Sequence, residues 1–217
     1  MVKTKMLYLE ILNKDQLDLL KKLDFLGEGV YLARGTSLAL QMGHRTSLDF
    51  DFYSKEDFNP EVLSSKFQRI FENMKVERIA RGTLIASINN VSFSMFHYPY
   101  DLIKKEVVLE KTKMASIEDV SAMKLIAIAM RGKRRDFIDT YYLLKKFRIK
   151  QLLRFVKQKY PKFEEMMILK GLIYFNDAED EDLARGIRVF DKNFSWKSAK
   201  KYIEDEVKKY QLSMFKD

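Results

Sequence analysis

The hydrophobic periodicity of this chain changes near residue 110, and that change constrains the fold more than any other feature. Before it, short alternating or continuous apolar segments are interleaved with segments of helical spacing, and after it the spacing is helical almost throughout. The 217 residues, of which 47% are hydrophobic, suffice for one large domain or two small ones. The pattern predicts an α+β protein, with a mixed sheet and flanking helices over residues 1–110 and a helical bundle over residues 111–217.

Individual elements follow from apolar spacing, turn residues and helix signals. In the first domain we expect helices over residues 15–25, 36–42 and 60–74, and strands over residues 30–33, 47–53, 76–80, 84–88 and 91–98. Asn89 and Asn90 tolerate positive φ and predict a tight hairpin. In the second domain we expect helices over residues 117–131, 135–147, 151–160, 163–174 and 196–212. Gly132 predicts the end of the first of these, and the acidic run over residues 176–182 predicts a loop or a helix start.

Composition restricts the metal chemistry and the location. The chain has no Cys and two His, which excludes disulfides and Cys- or His-rich metal sites, so any metal must bind mainly to oxygen. No apolar run is long enough to span a membrane and the N-terminus lacks a signal-peptide core, so we expect a cytoplasmic protein without a membrane partner. The net charge of +9 favours a polyanionic partner, although solvated lysines on helix faces explain it equally well.

Asp49 and Asp51 are the strongest candidates for a metal site. Residues i and i+2 of a strand point to the same side, so the two carboxylates should stand roughly 6–7 Å apart along the strand. Leu48, Phe50 and Phe52 are expected to pack into the core behind them. A divalent cation between the acids would explain why two like charges lie together, and nucleotidyl transfer requires such a pair. For this motif alone, an exposed polar strand face is the alternative.

Gly35, Thr36 and Ser37 lie between a predicted buried strand and a short helix, where a phosphate would bind. Glycine allows the backbone to approach a phosphate closely, and the N–H groups at a helix start bind anions. Both hydroxyls are able to donate to phosphate oxygens. An ordinary helix cap is the alternative, but the order of strand, Gly-Thr-Ser, helix and Asp-x-Asp strand is much rarer than either motif alone.

The segment over residues 32–54 resembles the AbiEii/AbiGii-type nucleotidyltransferase toxins of the DNA polymerase β-like superfamily. Their pattern is roughly Gly-Gly-Thr-Ala-Leu-Ala-Leu, then His-Arg-x-Ser-x-Asp-hydrophobic-Asp, and the chain matches it with Arg-Gly-Thr-Ser-Leu-Ala-Leu and His-Arg-Thr-Ser-Leu-Asp-Phe-Asp. Arg34 replaces the first glycine, so it either narrows the phosphate loop or supplies a further cation to the phosphates. Arg45 would contact the phosphates or pair with an acid, and the Ser47 hydroxyl would reach the metal site.

The segment over residues 117–144 resembles the lysine helix of the same family and the Arg-Asp-x-x-Asp helix that follows it. Lys124 lies in an apolar stripe, so its ammonium needs a partner, either a nucleoside triphosphate or one of the acids Asp136 and Asp139. The resemblance implies that Lys124 binds phosphates and that Asp139 helps to position the metal or the acceptor hydroxyl. Ser92 and Ser94 stand where many polymerase-β-like enzymes carry a third carboxylate, so the general base is unidentified and Asp139 is one substitute.

The resemblance implies an Mg²⁺- or Mn²⁺-dependent nucleotidyltransferase that transfers a nucleoside monophosphate from NTP to an acceptor hydroxyl. The residues implied are Asp49, Asp51, Lys124 and Asp139 for catalysis, Asp49 and Asp51 for the metal, and Gly35, Thr36, Ser37, Arg45, Ser47 and Lys124 for the nucleotide. Family members are toxins with a separately encoded antitoxin, and some modify the acceptor end of tRNA, which makes RNA the expected acceptor. A small-molecule transferase and a non-catalytic nucleotide-binding or interaction protein are the alternatives.

Overall fold

The computed structural model describes residues 7–179 and 187–215, and these residues form two compact units. The first unit extends to Ser116 and also includes the short segment that ends at Arg188. The second unit contains the other described residues from Ile117 onward. Within these ranges, no helix combines the length and the apolar character needed to cross a membrane.

A mixed seven-stranded sheet forms the centre of the first unit. Its strands are β1 (Val30–Leu32), β2 (Asp49–Ser54), β3 (Met74–Ala80), β4 (Thr83–Ile88), β5 (Val91–His97), β6 (Val107–Leu109) and β7 (Thr112–Met114), arranged in the order β3-β4-β5-β2-β1-β7-β6. β2 is antiparallel to β1 and parallel to β5, whereas β1 is parallel to β7. The helices of this unit are α1 (Lys14–Leu20), α2 (Arg34–Met42) and α3 (Pro60–Ile70).

Alternation along the central strands separates an apolar face of the sheet from a polar one. Phe50 and Phe52 on β2 are buried, as is Phe93 on β5, whose ring lies 5.5 Å from that of Phe52 and 4.8 Å from that of Phe67 on α3. Burying one such ring contributes about 1.5–3 kcal/mol. Because a register slip of one residue would expose the whole set, this core fixes which residues of β2 occupy the opposite face.

The hairpin and the helix end that the sequence predicted are confirmed. Asn89 and Asn90 have φ values of 49° and 66° between β4 and β5, which antiparallel pairing joins. Gly132 has a φ of 49° directly after the first helix of the second unit. These backbone conformations are the ones that asparagine and glycine tolerate.

Other boundaries in the first unit differ from the prediction. α1 ends at Leu20, and a short 3-10 helix (Asp24–Leu26) replaces the rest of the predicted helix over residues 15–25. α3 ends at Ile70 instead of residue 74, because the chain becomes extended at Phe71 and enters β3. β6 and β7 were missed because three-residue strands carry little periodicity. Since β7 pairs with β1, the sheet continues past residue 110.

The second unit is helical. Its helices are α4 (Ile117–Arg131), α5 (Arg134–Lys146), α6 (Ile149–Lys159), α7 (Glu165–Leu172), α8 (Asn176–Glu179) and α9 (Trp196–Ser213). α4 packs against α5, α6 and α7. The acidic run begins with α8, and its residues 180–182 lie outside the described ranges. Together with the sheet of the first unit, this helical region confirms the predicted α+β class.

Candidate active site

Asp49 and Asp51 lie on the polar face of β2. Both side chains are partly exposed, whereas Phe50 and Phe52 between and beyond them are 0% and 2% exposed. The alternation therefore places both carboxylates on one side of the sheet. Leu48 does not share the buried position of the two phenylalanines, contrary to the prediction, because it precedes the first residue of β2 and is 39% exposed.

The strand next to the two acids carries hydroxyls instead of a third carboxylate. In the parallel pairing of β2 with β5, Asp49 is opposite Ser92 and Asp51 is opposite Ser94. In the part of the chain that the structure describes, no three His, Cys, Asp or Glu side chains gather as a metal cluster. Mg²⁺ is commonly bound through one or two carboxylates together with substrate phosphates and water. This donor set fits an ion that arrives with a triphosphate better than one held by protein ligands alone.

Helix α2 begins at Arg34, so Gly35, Thr36 and Ser37 lie in its first turn, two residues earlier than predicted. Thr36 Oγ1 donates to the carbonyl oxygen of Asp49 and lies 2.8 Å from Oγ of Ser47. Ser37 Oγ donates to the carbonyl of Ala115 at 3.0 Å. Thr36, Ser37 and Ser47 are all buried, so their hydroxyls hold the helix start against β2 and the end of the sheet. The backbone N–H groups of this turn are further candidates for a phosphate contact, and the roles of the Thr36 and Ser37 hydroxyls at a phosphate stay predictions.

The buried side chain of Arg45 packs against the same turn. Its guanidinium is buried, and Nη1 donates to the carbonyl of Thr46 at 2.8 Å. A Cβ added at Gly35 would lie 2.7 Å from Nη2 of Arg45 and 3.3 Å from Oγ of Ser47. Glycine is therefore needed here because the helix start and the guanidinium approach so closely.

Arg34 binds one of the two candidate metal ligands. Its Nη1 lies 3.2 Å from Oδ1 of Asp51, and the two side chains are 38% and 18% exposed. The guanidinium carbon lies 5.4 Å from the ring centroid of Tyr53 and 5.2 Å from that of Phe96. Burial raises the pKa of the Tyr53 phenol above its usual range, so this neighbour of Asp51 keeps its proton. The positive charge of Arg34 therefore lies beside Asp51 on the polar face of β2.

In the second unit, Lys124 lies between two carboxylates. Its Nζ is 2.7 Å from Oδ1 of Asp136 and 2.6 Å from Oδ2 of Asp139, and all three side chains are buried. Nη2 of Arg131 lies 3.6 Å from the other oxygen of Asp136. Of the two partners that the sequence left open for Lys124, the structure shows the carboxylates. The roles of Lys124 at the phosphates and of Asp139 at the metal or acceptor stay predictions.

Comparison with known families decides the relationship that the motifs indicated. The model of the family described as "Nucleotidyl transferase AbiEii toxin, Type IV TA system" matches residues 18–202. The chain belongs to this family. A relative in Aquifex aeolicus (strain VF5), described as an uncharacterized protein, is 33% identical over an alignment of 213 residues. The alignment covers 92% of this chain and 97% of the relative.

Solved structures share the fold of this AbiEii-family chain. JHP933 from Helicobacter pylori superimposes with a TM-score of 0.55 at 16% identity, covering 97% of this chain and 100% of that one. The nucleotidyltransferase toxin MenT4 from Mycobacterium tuberculosis H37Rv has a TM-score of 0.55 at 13% identity, covering 89% and 82%. At such identities the likeness supports the fold, while the family match supports the nucleotidyltransferase toxin class.

The AbiEii-family motifs in the first unit come together as one site. The structure gathers the Gly-Thr-Ser turn, Arg45, Ser47 and the two aspartates around the contact of α2 with β2, whereas Lys124 and Asp139 pair with each other in the second unit. Sequence reasoning did not find the ion pair of Arg34 with Asp51. The sequence does show an arginine where the family pattern has a glycine, but it does not show that the side chain contacts Asp51.

Proposed function

We propose that this AbiEii-family protein transfers a nucleoside monophosphate from NTP to an acceptor hydroxyl of RNA, such as tRNA, with Mg²⁺ or Mn²⁺ at Asp49 and Asp51. The observation that carries the proposal is the pair of carboxylates on one face of β2, beside the start of α2 and the buried guanidinium of Arg45. The net charge of +9 supports a polyanionic acceptor. The family supports a toxin with a cognate antitoxin, acting in the cytoplasm where NTP and RNA meet.

The protein's own residues would bind and orient the triphosphate. The two aspartates would hold the divalent ion, which, when bound, offsets the charge of the phosphates and of the transition state. The N–H groups at the start of α2 would bind phosphate oxygens, because the first N–H groups of a helix have no partner within it. Gly35 would keep this turn packed closely on Arg45, and Ser92 and Ser94 would offer hydroxyl donors beside the acids.

Lys124 and Asp139 enter this proposal through the family resemblance. Each has a buried partner in the second unit, so each would have to exchange that partner for substrate or metal before contributing directly. The alternative is that both act through the fold of their own unit. Variants of Lys124 distinguish the two roles.

Incorporation of labelled nucleotide into RNA tests the proposal. Purified protein is incubated with Mg²⁺, total RNA and each α-labelled NTP in turn, using wild type, Asp51→Asn and Asp18→Asn. Asp18 is an exposed acid on α1, so its variant makes the same change of charge away from the site. We expect one or more nucleotides to be incorporated by wild type and Asp18→Asn, and a loss of about 100-fold or more in Asp51→Asn.

The other outcomes point to the alternative functions. NTP binding without incorporation into RNA would favour a small-molecule acceptor. No NTP binding at all would favour a non-catalytic interaction protein. The pairing of Arg34 with Asp51 and the serines opposite the acids on β5 would then explain why NTP does not bind. Incorporation that persists in Asp51→Asn would show that the site is elsewhere. RNA binding that weakens steeply with salt would support a polyanionic acceptor.

A further inference from the structure

Arg34 pairs with Asp51, so a guanidinium of the protein occupies a place that the proposed function assigns to a divalent metal ion. The guanidinium lies 3.2 Å from Oδ1 of the carboxylate and 5.2–5.4 Å from two aromatic ring centroids. A divalent ion bound to the same oxygen would approach to about 2.0–2.1 Å in the case of Mg²⁺. Two cations so close together repel strongly, so a divalent ion on this oxygen would displace the guanidinium from it.

The backbone at Arg34 indicates that the arginine is not a neutral replacement. Its φ is 53°, in the left-handed region that residues with a Cβ seldom adopt and glycine adopts freely. Arg34 therefore adopts a backbone conformation that glycine would adopt with less strain. That observation favours a role for the side chain, and the side chain is directed to the carboxylate.

The surroundings of Arg34 allow an exchange of partners. Its side chain is 38% exposed, so the guanidinium can leave Asp51 without entering an apolar environment. The rings of Tyr53 and Phe96 retain it near β2 after it leaves, because a guanidinium over aromatic rings is attracted to them. A triphosphate bound at the start of α2 would offer oxygens that accept from the same fork of N–H donors.

We propose that Arg34 couples metal binding to nucleotide binding, an inference that rests on the proposed nucleotidyltransferase function. Without nucleotide, Arg34 neutralises Asp51 and weakens the binding of a free divalent ion. When the ion arrives together with a nucleoside triphosphate, Arg34 exchanges the carboxylate for the phosphates, so that ion and nucleotide each bind more tightly in the presence of the other. Such coupling is reciprocal and can be measured from either ligand.

Direct measurement of Mn²⁺ binding by electron paramagnetic resonance tests this coupling without measuring catalysis. Wild type, Arg34→Gly, Asp51→Asn and Arg69→Ala are titrated with Mn²⁺, alone and with a non-hydrolysable NTP analogue. Glycine suits the positive φ at position 34, so Arg34→Gly should fold at least as well as wild type. Arg69 is exposed on α3, and its variant removes the same charge from the same unit.

We expect Arg34→Gly to bind Mn²⁺ alone roughly three- to tenfold more tightly than wild type, since a nearby positive charge is removed. In Arg34→Gly, the NTP analogue should tighten Mn²⁺ binding less than it does in wild type, by a similar factor or more. Arg69→Ala should behave as wild type. If Arg34→Gly binds Mn²⁺ alone with wild-type affinity while Asp51→Asn has lost binding, the coupling is wrong but the metal site is sound. If Asp51→Asn binds Mn²⁺ as wild type does, the metal site and the coupling are both wrong.

Discussion

Replacing Lys124 by methionine tests whether the buried cluster of the second unit is a structural element. The substitution keeps a similar volume but leaves Asp136 and Asp139 without their shared cation, at 1% and 0% exposure. Arg131 also contacts this cluster, since its Nη2 lies 3.6 Å from Oδ2 of Asp136. After the substitution, the two buried carboxylates lose the cation that they share, and the partly exposed Arg131 stays 3.6 Å from Asp136.

The expected cost follows from burial. Removing one partner of a buried ion pair destabilises a protein by about 3–5 kcal/mol, because the remaining charge is uncompensated. Arg131→Ala should cost no more than about 1 kcal/mol, since that side chain is 41% exposed and solvent screens its charge. Adding Asp136→Asn and Asp139→Asn to Lys124→Met should recover much of the loss, because neutral side chains no longer require a cation.

Urea denaturation followed by tryptophan fluorescence measures these differences. The chain has one tryptophan, Trp196, at the start of α9 in the second unit, so its signal reports on the unit that is changed. A loss below 1 kcal/mol in Lys124→Met would refute the reasoning. If the neutralised triple variant regains stability but not nucleotide incorporation, with a raised KM for NTP, the proposed phosphate role gains support. Recovery of both would show that Lys124 acts through the fold.

Three further predictions concern the first unit. Gly35→Ala should cost about 1–3 kcal/mol of stability and weaken NTP binding, because the new Cβ would lie 2.7 Å from a buried guanidinium nitrogen; thermal denaturation with and without NTP measures both effects, and an unchanged NTP affinity would show that the turn does not contact phosphate. Phe50→Ala should cost about 3–5 kcal/mol, whereas Leu48→Ala should stay within about 0.5 kcal/mol because that side chain is partly exposed; equal losses in urea denaturation would contradict the assigned faces of β2. Ser94→Asp should tighten Mn²⁺ binding roughly tenfold by placing a third carboxylate opposite Asp51; unchanged binding in a Mn²⁺ titration would argue against a metal on this face.

The sequence predicted the strands that carry the acids because packing there depends on local alternation. Phe50 and Phe52 on β2 and Val91, Phe93 and Met95 on β5 can be buried together only in one register. That register sends Asp49 and Asp51 to the other face. The Asn89–Asn90 hairpin and the stop at Gly132 were predictable for a similar reason, since each depends on the backbone freedom of one or two residues.

The choice of polar partners was not predictable, because it depends on contacts between residues distant in sequence. Ser37 donates to the carbonyl of Ala115, 78 positions later in the chain, and Thr36 donates to the carbonyl of Asp49. The motif predicts that both hydroxyls donate to phosphate, but it does not show these carbonyl acceptors. β6 and β7 were missed on similar grounds: a three-residue strand is defined by its pairing with a neighbour more than by its own pattern.

Each unit contains a cationic side chain paired with carboxylates to which the family resemblance assigns a role in catalysis. The two pairs differ in burial, and therefore in how easily a ligand could replace one partner. Lys124 is buried with Asp136 and Asp139, so a ligand that replaced one of them would leave a buried charge without its partner. Arg34 and Asp51 are partly exposed, and solvent lowers the cost of separating them. A ligand that brings both a cation for the acid and an anion for the arginine would replace both halves of that pair at once, and a metal-bound triphosphate carries both. The pair on β2 is therefore the one suited to ligand exchange, and the buried cluster is suited to holding α4 and α5 in place.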